Sequence, residues 1–230
     1  MIIELLLIGY FNRINCGCIF PRVKDLAVFM NSKQKNKLVL ASSSPRRKEM
    51  LRASGIEFDV IVANIDETPR ANEKGHDYVK RNAFEKGFVV SKQLTDNDLI
   101  LSADTIVVTK EDKILEKPLN FAHAVEMLKM LSNNTHLVLS GYSIFQNKQE
   151  IISRIIETYV TFREITLPEI HAYINTQEPF DKAGGYGIQG KAMGFVLKVE
   201  GSYTNVIGLP LAEVLIDLKN YGNIEAFHNL

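Results

Sequence analysis

The chain has 230 residues, of which 46% are hydrophobic and 23% are charged. That is enough for one substantial core or for two small lobes that share a cleft. Basic and acidic residues both total 27, so no bulk field attracts nucleic acid or an anionic membrane, and we expect neither as a partner.

The amino-terminal part differs from the rest of the chain. Its two cysteines, Cys16 and Cys18, are the only ones; they cannot build a disulfide framework and make half of a four-ligand zinc site, which favours a reducing, intracellular location. The apolar opening is far shorter than the roughly 20 residues of a membrane span. We predict that residues 1–36 are an extension of unknown role before a domain at 37–230, and that Met30 is an alternative start.

The predicted elements alternate between strands and helices in chain order. A strand, KLVLA, leads into a helix from Pro45 to about Gly55; the strand FDVIVA and the helix HDYVKRNAFEKGFVVSKQL follow. LILSADTIVVT forms a hairpin with KILEKP, and FAHAVEMLKMLS is helical. HLVLSGYSIF and EIISRIIETYVTFREI form a long hairpin, before a capped helix from Thr166 to Ile174, the strand GFVLKV and the helix PLAEVLIDLKNYG. Hairpins together with crossovers indicate an α/β fold with a mixed sheet.

The first predicted helix begins with SSSPRR, which places cations where they are disfavoured. A positive charge at a helix amino end costs about 0.3–1 kcal/mol, so Arg46 and Arg47 are badly placed unless an anion binds there. The hydroxyls of Ser42, Ser43 and Ser44, with the free N–H groups of the helix, would form a phosphate cradle. The alternative is that Ser44 only caps the helix and both arginines face solvent.

Asp104 interrupts an otherwise apolar strand, LILSADTIVV. Burying a carboxylate is costly unless it is paired, hydrogen-bonded or bound to a metal. An aspartate in this position is suited to holding a divalent cation or to polarising a water molecule. The alternative is an exposed residue at a strand end.

Other acids and bases are assigned to loops. Each one alone is typical of a solvated surface charge, but together they would supply carboxylates for a hard cation and ammonium groups for a polyphosphate. They are Asp66, Glu67, Lys86, Lys117, Asp181 and Lys182.

The segment GGYGIQG contains the pattern G-x-G-x-x-G at Gly185, Gly187 and Gly190. It follows a polar loop and precedes a strand, which is the wrong context for a dinucleotide fingerprint. Its glycines instead allow the backbone to pass close to a ligand, and the amide of Gln189 offers both a donor and an acceptor to a base edge.

Five motifs, LASSSPRRKEML, SADT, LEKP, DKAGGYGIQG and GLPL, occur in this order between Leu40 and Leu211, within a resemblance that extends from about Lys37 to Tyr221. On these motifs the chain resembles the Maf family of nucleoside triphosphate pyrophosphatases. The resemblance implies a Maf/ITPase-like α/β fold, with an elongated mixed β-sheet, flanking helices and two lobes around a cleft. It also implies a cytoplasmic enzyme, commonly a homodimer, that uses Mg²⁺ or Mn²⁺ to hydrolyse a nucleoside triphosphate to the monophosphate and diphosphate.

Carried over residue by residue, the resemblance gives Asp104 the role of proton acceptor and links Arg46, Thr105 and Gln189 to base specificity. Arg, Thr and Gln at these positions resemble the subfamily that acts on dTTP and UTP, whereas the 7-methyl-GTP subfamily has Trp, Gln and Glu. The family's acidic pair is often two glutamates; here it is Asp66-Glu67, and which of the two binds metal stays open.

The resulting hypothesis is a hydrolysis in which Asp104, with Asp66 or Glu67, holds the metal and takes a proton from water attacking the α-phosphorus. The groups expected to neutralise the triphosphate are Ser42, Ser44, Arg47, Lys86, Lys117 and Lys182. Two alternatives stay open: a nucleotide-binding regulator of cell division without turnover, and a 7-methyl-GTP pyrophosphatase. Modified pyrimidine triphosphates are further possible substrates.

Overall fold

The computed structural model describes residues 37–94 and 97–227. The predicted extension 1–36, with Met30, lies outside the described residues. Within the described part, none of the helices is long and apolar enough to cross a membrane.

The described residues form one seven-stranded mixed sheet, as predicted. The strands are β1 (Leu38–Leu40), β2 (Asp59–Val60), β3 (Leu99–Val108), β4 (Ile114–Leu115), β5 (Thr135–Gln146), β6 (Gln149–Phe162) and β7 (Val196–Gly201). Their order is β2-β1-β3-β5-β6-β7, and β4 pairs with β3. β1 is parallel to β2 and β3, and the other pairings are antiparallel.

Six helices lie between or after these strands in the part of the chain that is described. They are α1 (Pro45–Ala53), α2 (Gly75–Ser91), α3 (Phe121–Leu131), α4 (Leu167–Asn175), α5 (Tyr203–Ile207) and α6 (Leu211–Gly222). Three 3₁₀ turns lie at Glu178–Asp181, Ala183–Gly185 and Lys191–Phe195. The first helix starts with proline and stops before Gly55, whose φ of 71° is easily reached only by glycine.

Several predictions differ from the structure, and one of them is the partner strand KILEKP, which shortens to Ile114–Leu115. The strand FDVIVA shortens to Asp59–Val60, because it is an edge strand that pairs only with Val39 and Leu40 of β1. Lys86, assigned to a loop, lies inside α2. The short helix α5 was not predicted; its amino end is capped by Ser202, whose side chain accepts a hydrogen bond from the Asn205 amide.

The sheet is covered on both faces, which explains why β3 is buried along its length. Leu99, Leu101 and Ala103 belong to the larger core cluster, which also contains side chains from α1, α3, α4 and α6. Ile106 and Val108 pack with α2 on the other face. Because side chains alternate along a strand, Asp104 shares the face that α2 covers.

Candidate active site

A cavity of about 670 Å³ lies beyond the carboxyl end of β1. The chain leaves β1 for β2 on one side and later returns as β3 on the other. In open α/β sheets, ligands bind in the crevice at such a switch point. The cavity is lined by the β1–α1 turn, the middle of β3, and segments within 181–190 and 206–208.

Arg47 is buried in the wall of this cavity, with 8% of its surface exposed. Its guanidinium donates to the carbonyl oxygens of Gly208 (2.8 Å from Nε) and Ala103 (2.8 Å from Nη1). It also donates to the hydroxyls of Ser42 (3.2 Å from Nη1) and Thr105 (3.1 Å from Nη2). All four acceptors are neutral, so the fold holds the guanidinium in place without cancelling its charge.

The electrostatics of Arg47 favour an anion nearby. Burial lowers the pKa of its guanidinium, and the Asp104 carboxylate opposes that effect. The alternative in which both arginines face solvent is therefore wrong for Arg47. Ser44 is the residue before α1, but its side chain makes no capping hydrogen bond and it lines the cavity.

Asp104 lies on the floor of the same cavity and is 7% exposed, so the strand-end alternative is wrong. Its Oδ1 accepts from the Lys86 ammonium at 2.8 Å and its Oδ2 from the Asn82 amide at 3.1 Å. Burial alone would raise the pKa of Asp104, but the charges of Lys86 and Arg47 and the Asn82 hydrogen bond outweigh it and lower the pKa. The carboxylate is thus ionised at neutral pH.

Glu67 is the second carboxylate at this position. Its Oε2 lies 2.6 Å from the Lys86 Nζ, so Glu67 and Asp104 share one ammonium group. The Tyr78 hydroxyl oxygen lies 2.8 Å from the Glu67 carbonyl oxygen and 2.9 Å from Glu116 Oε1, so its single proton can be donated to either acceptor. Asp66 points elsewhere: its carboxylate accepts from the Thr68 amide at 2.9 Å, and it does not line the cavity.

A divalent metal fits the pair formed by Asp104 and Glu67. Mg²⁺ is usually bound through one or two carboxylates together with substrate phosphates. Two carboxylates that already converge on a cation meet that requirement. Nowhere in residues 37–94 and 97–227, this cavity included, does a group of three or more acidic, histidine or cysteine side chains converge as a metal site, so a metal here would also need phosphate oxygens or water as ligands.

The opposite wall of the cavity carries a second set of charges. Arg46 pairs with Asp181 at 2.8 Å between Nη1 and Oδ2. The Lys182 Nζ lies 2.5 Å from Asp181 Oδ1 and donates to the Glu178 carbonyl at 2.8 Å. One exposed carboxylate therefore pairs with two of the predicted substrate-binding cations and leaves a net positive charge at this wall.

The remaining predicted site residues also line the cavity. Thr105 is tied by its hydroxyl to Arg47, to Ser140 at 2.7 Å and to the Gly208 carbonyl at 3.1 Å. Lys117 and Gln189 are exposed. Within the described residues neither side chain makes a hydrogen bond or an ion pair, so their polar groups are available to a ligand.

Sequence reasoning missed three polar residues that support the site. Asn82 and Lys86 are one helical turn apart, so they form a polar pair on the apolar face of α2. Such a pair indicates a polar partner on the element that packs against this face, which here is Asp104 of β3. Tyr78 lies one further turn back on the same face. Glu116 had no local signal, because its contact with Tyr78 joins residues 38 positions apart.

A cleft at a strand switch point, with cations in its walls and an ionised carboxylate on its floor, is typical of enzymes that act on nucleotide phosphates. The chain matches the family described as "Maf-like protein" over residues 37–221. It therefore belongs to the Maf family, and the resemblance noted from its motifs is confirmed.

Curated relatives carry more specific names. A dTTP/UTP pyrophosphatase of Syntrophus aciditrophicus (strain SB) is 43% identical over 189 residues, covering 82% of this chain and 91% of the relative. One of Bacillus cereus is 45% identical over 192 residues, covering 84% and 98%. One of Bacillus anthracis is 44% identical with the same coverage.

Proposed function

We propose that this chain hydrolyses dTTP and UTP to the nucleoside monophosphate and diphosphate, an activity that cleans the nucleotide pool. The observation that carries the proposal is that Asp104 and the SSSPRR junction with Arg47 share one cavity. Relatives that cover most of this chain are named for the same reaction.

The triphosphate is bound by the charges around the cavity. Arg47 presents a buried positive charge without a hydrogen-bonded carboxylate, and Lys117 supplies an exposed one. The hydroxyls of Ser42 and Ser44 lie at the amino end of α1, where phosphate binding is favoured. Arg46, Lys86 and Lys182 contribute further charge when they exchange their carboxylate partners for phosphate oxygens.

Asp104 accepts the proton from the attacking water. The water oxygen bonds to the α-phosphorus, the bond from that phosphorus to the bridging oxygen breaks, and diphosphate leaves with that oxygen. Such reactions are accelerated mainly by positioning and charge stabilisation. A bound Mg²⁺ or Mn²⁺, held by Asp104 and Glu67, would add charge neutralisation on the phosphate oxygens.

Base recognition rests on Gln189, with Arg46 and Thr105 nearby in the cavity wall. An amide offers both a donor and an acceptor, which suits a uracil or thymine edge. A guanine edge presents adjacent donors that a glutamate would accept. The exposed amide of Gln189 therefore supports a pyrimidine substrate over 7-methyl-GTP.

A substrate screen with the purified full chain and Mg²⁺ tests the proposal. UTP, dTTP, CTP, 5-methyl-UTP, pseudo-UTP and 7-methyl-GTP are each incubated with enzyme, and diphosphate release is measured. We expect UTP and dTTP to be hydrolysed fastest. Saturable binding without diphosphate would instead indicate a regulator of cell division, and a preference for 7-methyl-GTP would reject the base assignment.

The proposal includes a cytoplasmic location and a homodimer, both of which follow from the resemblance to the family. Light scattering on the purified chain measures its mass in solution and so tests whether it is a homodimer.

A further inference from the structure

The segment Gly187–Lys191, which carries Gln189, is held from behind by two side chains that do not line the cavity. We propose that Tyr173 and Glu178 are positioning residues that fix this segment and thereby set the base selectivity. The inference rests on the proposed function and deepens it, because it concerns how the same site distinguishes its substrates.

Tyr173 holds the first part of the segment. Its hydroxyl accepts a hydrogen bond from the Gly187 amide at 3.2 Å and donates to Glu178 Oε1 at 3.0 Å. The residue is 4% exposed, and its ring packs edge-on against Phe195 with the ring centroids 5.3 Å apart. A phenylalanine here would keep the packing and lose both hydrogen bonds.

Glu178 holds the other end of the segment. Its Oε2 accepts from the Lys191 amide at 3.0 Å. A Cβ built on Gly190 would lie 2.1 Å from Glu178 Oε1, so the carboxylate rests directly against bare backbone. One carboxylate thus fixes Lys191 directly and Gly187 through Tyr173, while Gln189 lies between these two points.

Glu178 also connects base recognition with phosphate binding, since its backbone carbonyl accepts from the Lys182 ammonium at 2.8 Å. The side chains of Tyr173 and Glu178 make no hydrogen bond to Asp104 or Lys86, whose described partners lie on α2, β3 and the loop before α2. Releasing the segment should therefore change how the base binds and leave the chemical step almost unaltered.

The test is Tyr173→Phe, with kcat and KM measured for UTP and for CTP on the full chain with Mg²⁺. We expect the KM for UTP to rise about 3- to 10-fold, because the segment that carries Gln189 is then held less firmly, and kcat to stay within about twofold. The ratio of kcat/KM for UTP to that for CTP should fall by a similar factor. Tyr159→Phe is the matched control, because among the described residues the Tyr159 hydroxyl bonds only the exposed Glu157.

A second pair of variants separates positioning from folding. Glu178→Gln keeps an acceptor for Lys191 and should recover part of the selectivity that Glu178→Ala loses. If Tyr173 and Glu178 only stabilised the fold, the variants would have a lower melting temperature and a smaller active fraction. The KM for each nucleotide and the selectivity ratio would then be unchanged. If folded Tyr173→Phe keeps the wild-type KM and selectivity ratio, the inference is overturned. If Tyr173→Phe does not fold, the same result in Glu178→Gln and Glu178→Ala overturns it.

Failure of the proposed function would show itself differently, in wild-type protein that releases no diphosphate from either nucleotide. Dissociation constants for UTP and CTP from equilibrium dialysis then decide the inference. Tyr173→Phe should weaken UTP binding and bring the dissociation constants for UTP and CTP closer together. Equal effects on both constants, or no nucleotide binding by wild type, would refute the inference.

Discussion

At the residue scale, the most informative side chain is Asp104, a buried carboxylate with a lowered pKa. Lys86 and Asn82 keep it ionised, so it can bind a cation or accept a proton at neutral pH without first losing one. Strong general bases usually have a pKa near the working pH. Because Lys86 is the largest of the influences that lower this pKa, Asp104 becomes a stronger base when a phosphate oxygen of the substrate draws Lys86 away.

Asp104→Asn preserves the size of the side chain and removes its charge. Turnover of UTP should fall by a factor on the order of 10² or more, the usual size of a general-base contribution. The measurement is steady-state diphosphate release, with Asp77→Asn, on the exposed first turn of α2, as the control. Nearly unchanged release from the Asp104 variant would reject its catalytic role.

Asp181 pairs with Arg46 and Lys182, two of the proposed substrate-binding cations, on the opposite wall of the cavity. Burial would raise the pKa of its carboxyl, but Lys182 and Arg46 outweigh that effect and lower the pKa. Its side chain is 62% exposed, and exposed ion pairs contribute only about 0.2–1 kcal/mol each. A triphosphate can therefore displace this carboxylate from both cations.

Asp181→Asn should accordingly lower the KM for UTP, by up to about fivefold at low ionic strength. The difference from wild type should shrink as salt is added, because screening weakens exposed charge pairs. Kinetics at two salt concentrations check this, with Asp112→Asn in the exposed pair with Lys74 as the control. A raised KM would mean that Asp181 positions Arg46 for substrate instead of competing with it.

At the element scale, the loop between β2 and α2 brings Glu67 to the cavity although it has no helix or strand of its own. Arg81 of α2 anchors it. The guanidinium donates to both Glu73 carboxylate oxygens, at 2.7 and 2.8 Å, and to the Thr68 carbonyl at 3.2 Å. The hydrogen bond to Arg81 is the main reason why the pKa of Glu73 falls to about 2.

Glu73→Gln tests this anchor through the pH dependence of stability. A carboxyl whose pKa is about 2 in the folded chain and about 4.5 when unfolded stabilises the fold fully above pH 4.5 and loses that effect as the pH falls towards 2. Urea unfolding at pH 7 should therefore show wild type more stable by about 1–3 kcal/mol. The difference should disappear near pH 2.

The matched control is Glu200→Gln, in the exposed pair with Lys198, which should leave the free energy of unfolding unchanged. A stability difference between wild type and Glu73→Gln that does not vary with pH would show that the anchor does not depend on the Glu73 charge.

At the scale of the whole molecule, local patterns were enough to predict the sheet class and most elements. β3, the β5–β6 hairpin and the helices after Pro45 and Thr166 each carry their own periodicity or cap. The strand at Asp59–Val60 was overextended because its short pairing depends on β1 and not on its own residues. The helix at Tyr203–Ile207 is too short to show a helical period.

The assembly of the site was harder to predict than its members. Asp104, Arg47 and Gln189 were recognisable as residue types in unusual places, but their partners are set by tertiary packing. Arg46 meets Asp181 across 135 positions and Arg47 meets the Gly208 carbonyl across 161. No periodicity in the sequence encodes those distances.

Gly141 links the packing of the whole domain to the active site. It is the register partner of Asp104 in β5, and a Cβ there would lie 2.5 Å from the Val79 carbonyl oxygen of α2, a backbone atom that cannot rotate away. Gly141→Ala should push α2 outward, lowering the free energy of unfolding by about 1–3 kcal/mol. Because α2 carries Asn82 and Lys86, kcat should fall as well.

Urea unfolding and UTP turnover measure the two effects of Gly141→Ala. The control is Gly194→Ala, where a Cβ meets nothing within 4 Å, and it should change stability by less than about 0.5 kcal/mol. A destabilised Gly141→Ala protein with unchanged kcat would show that the site does not depend on how closely α2 approaches the sheet.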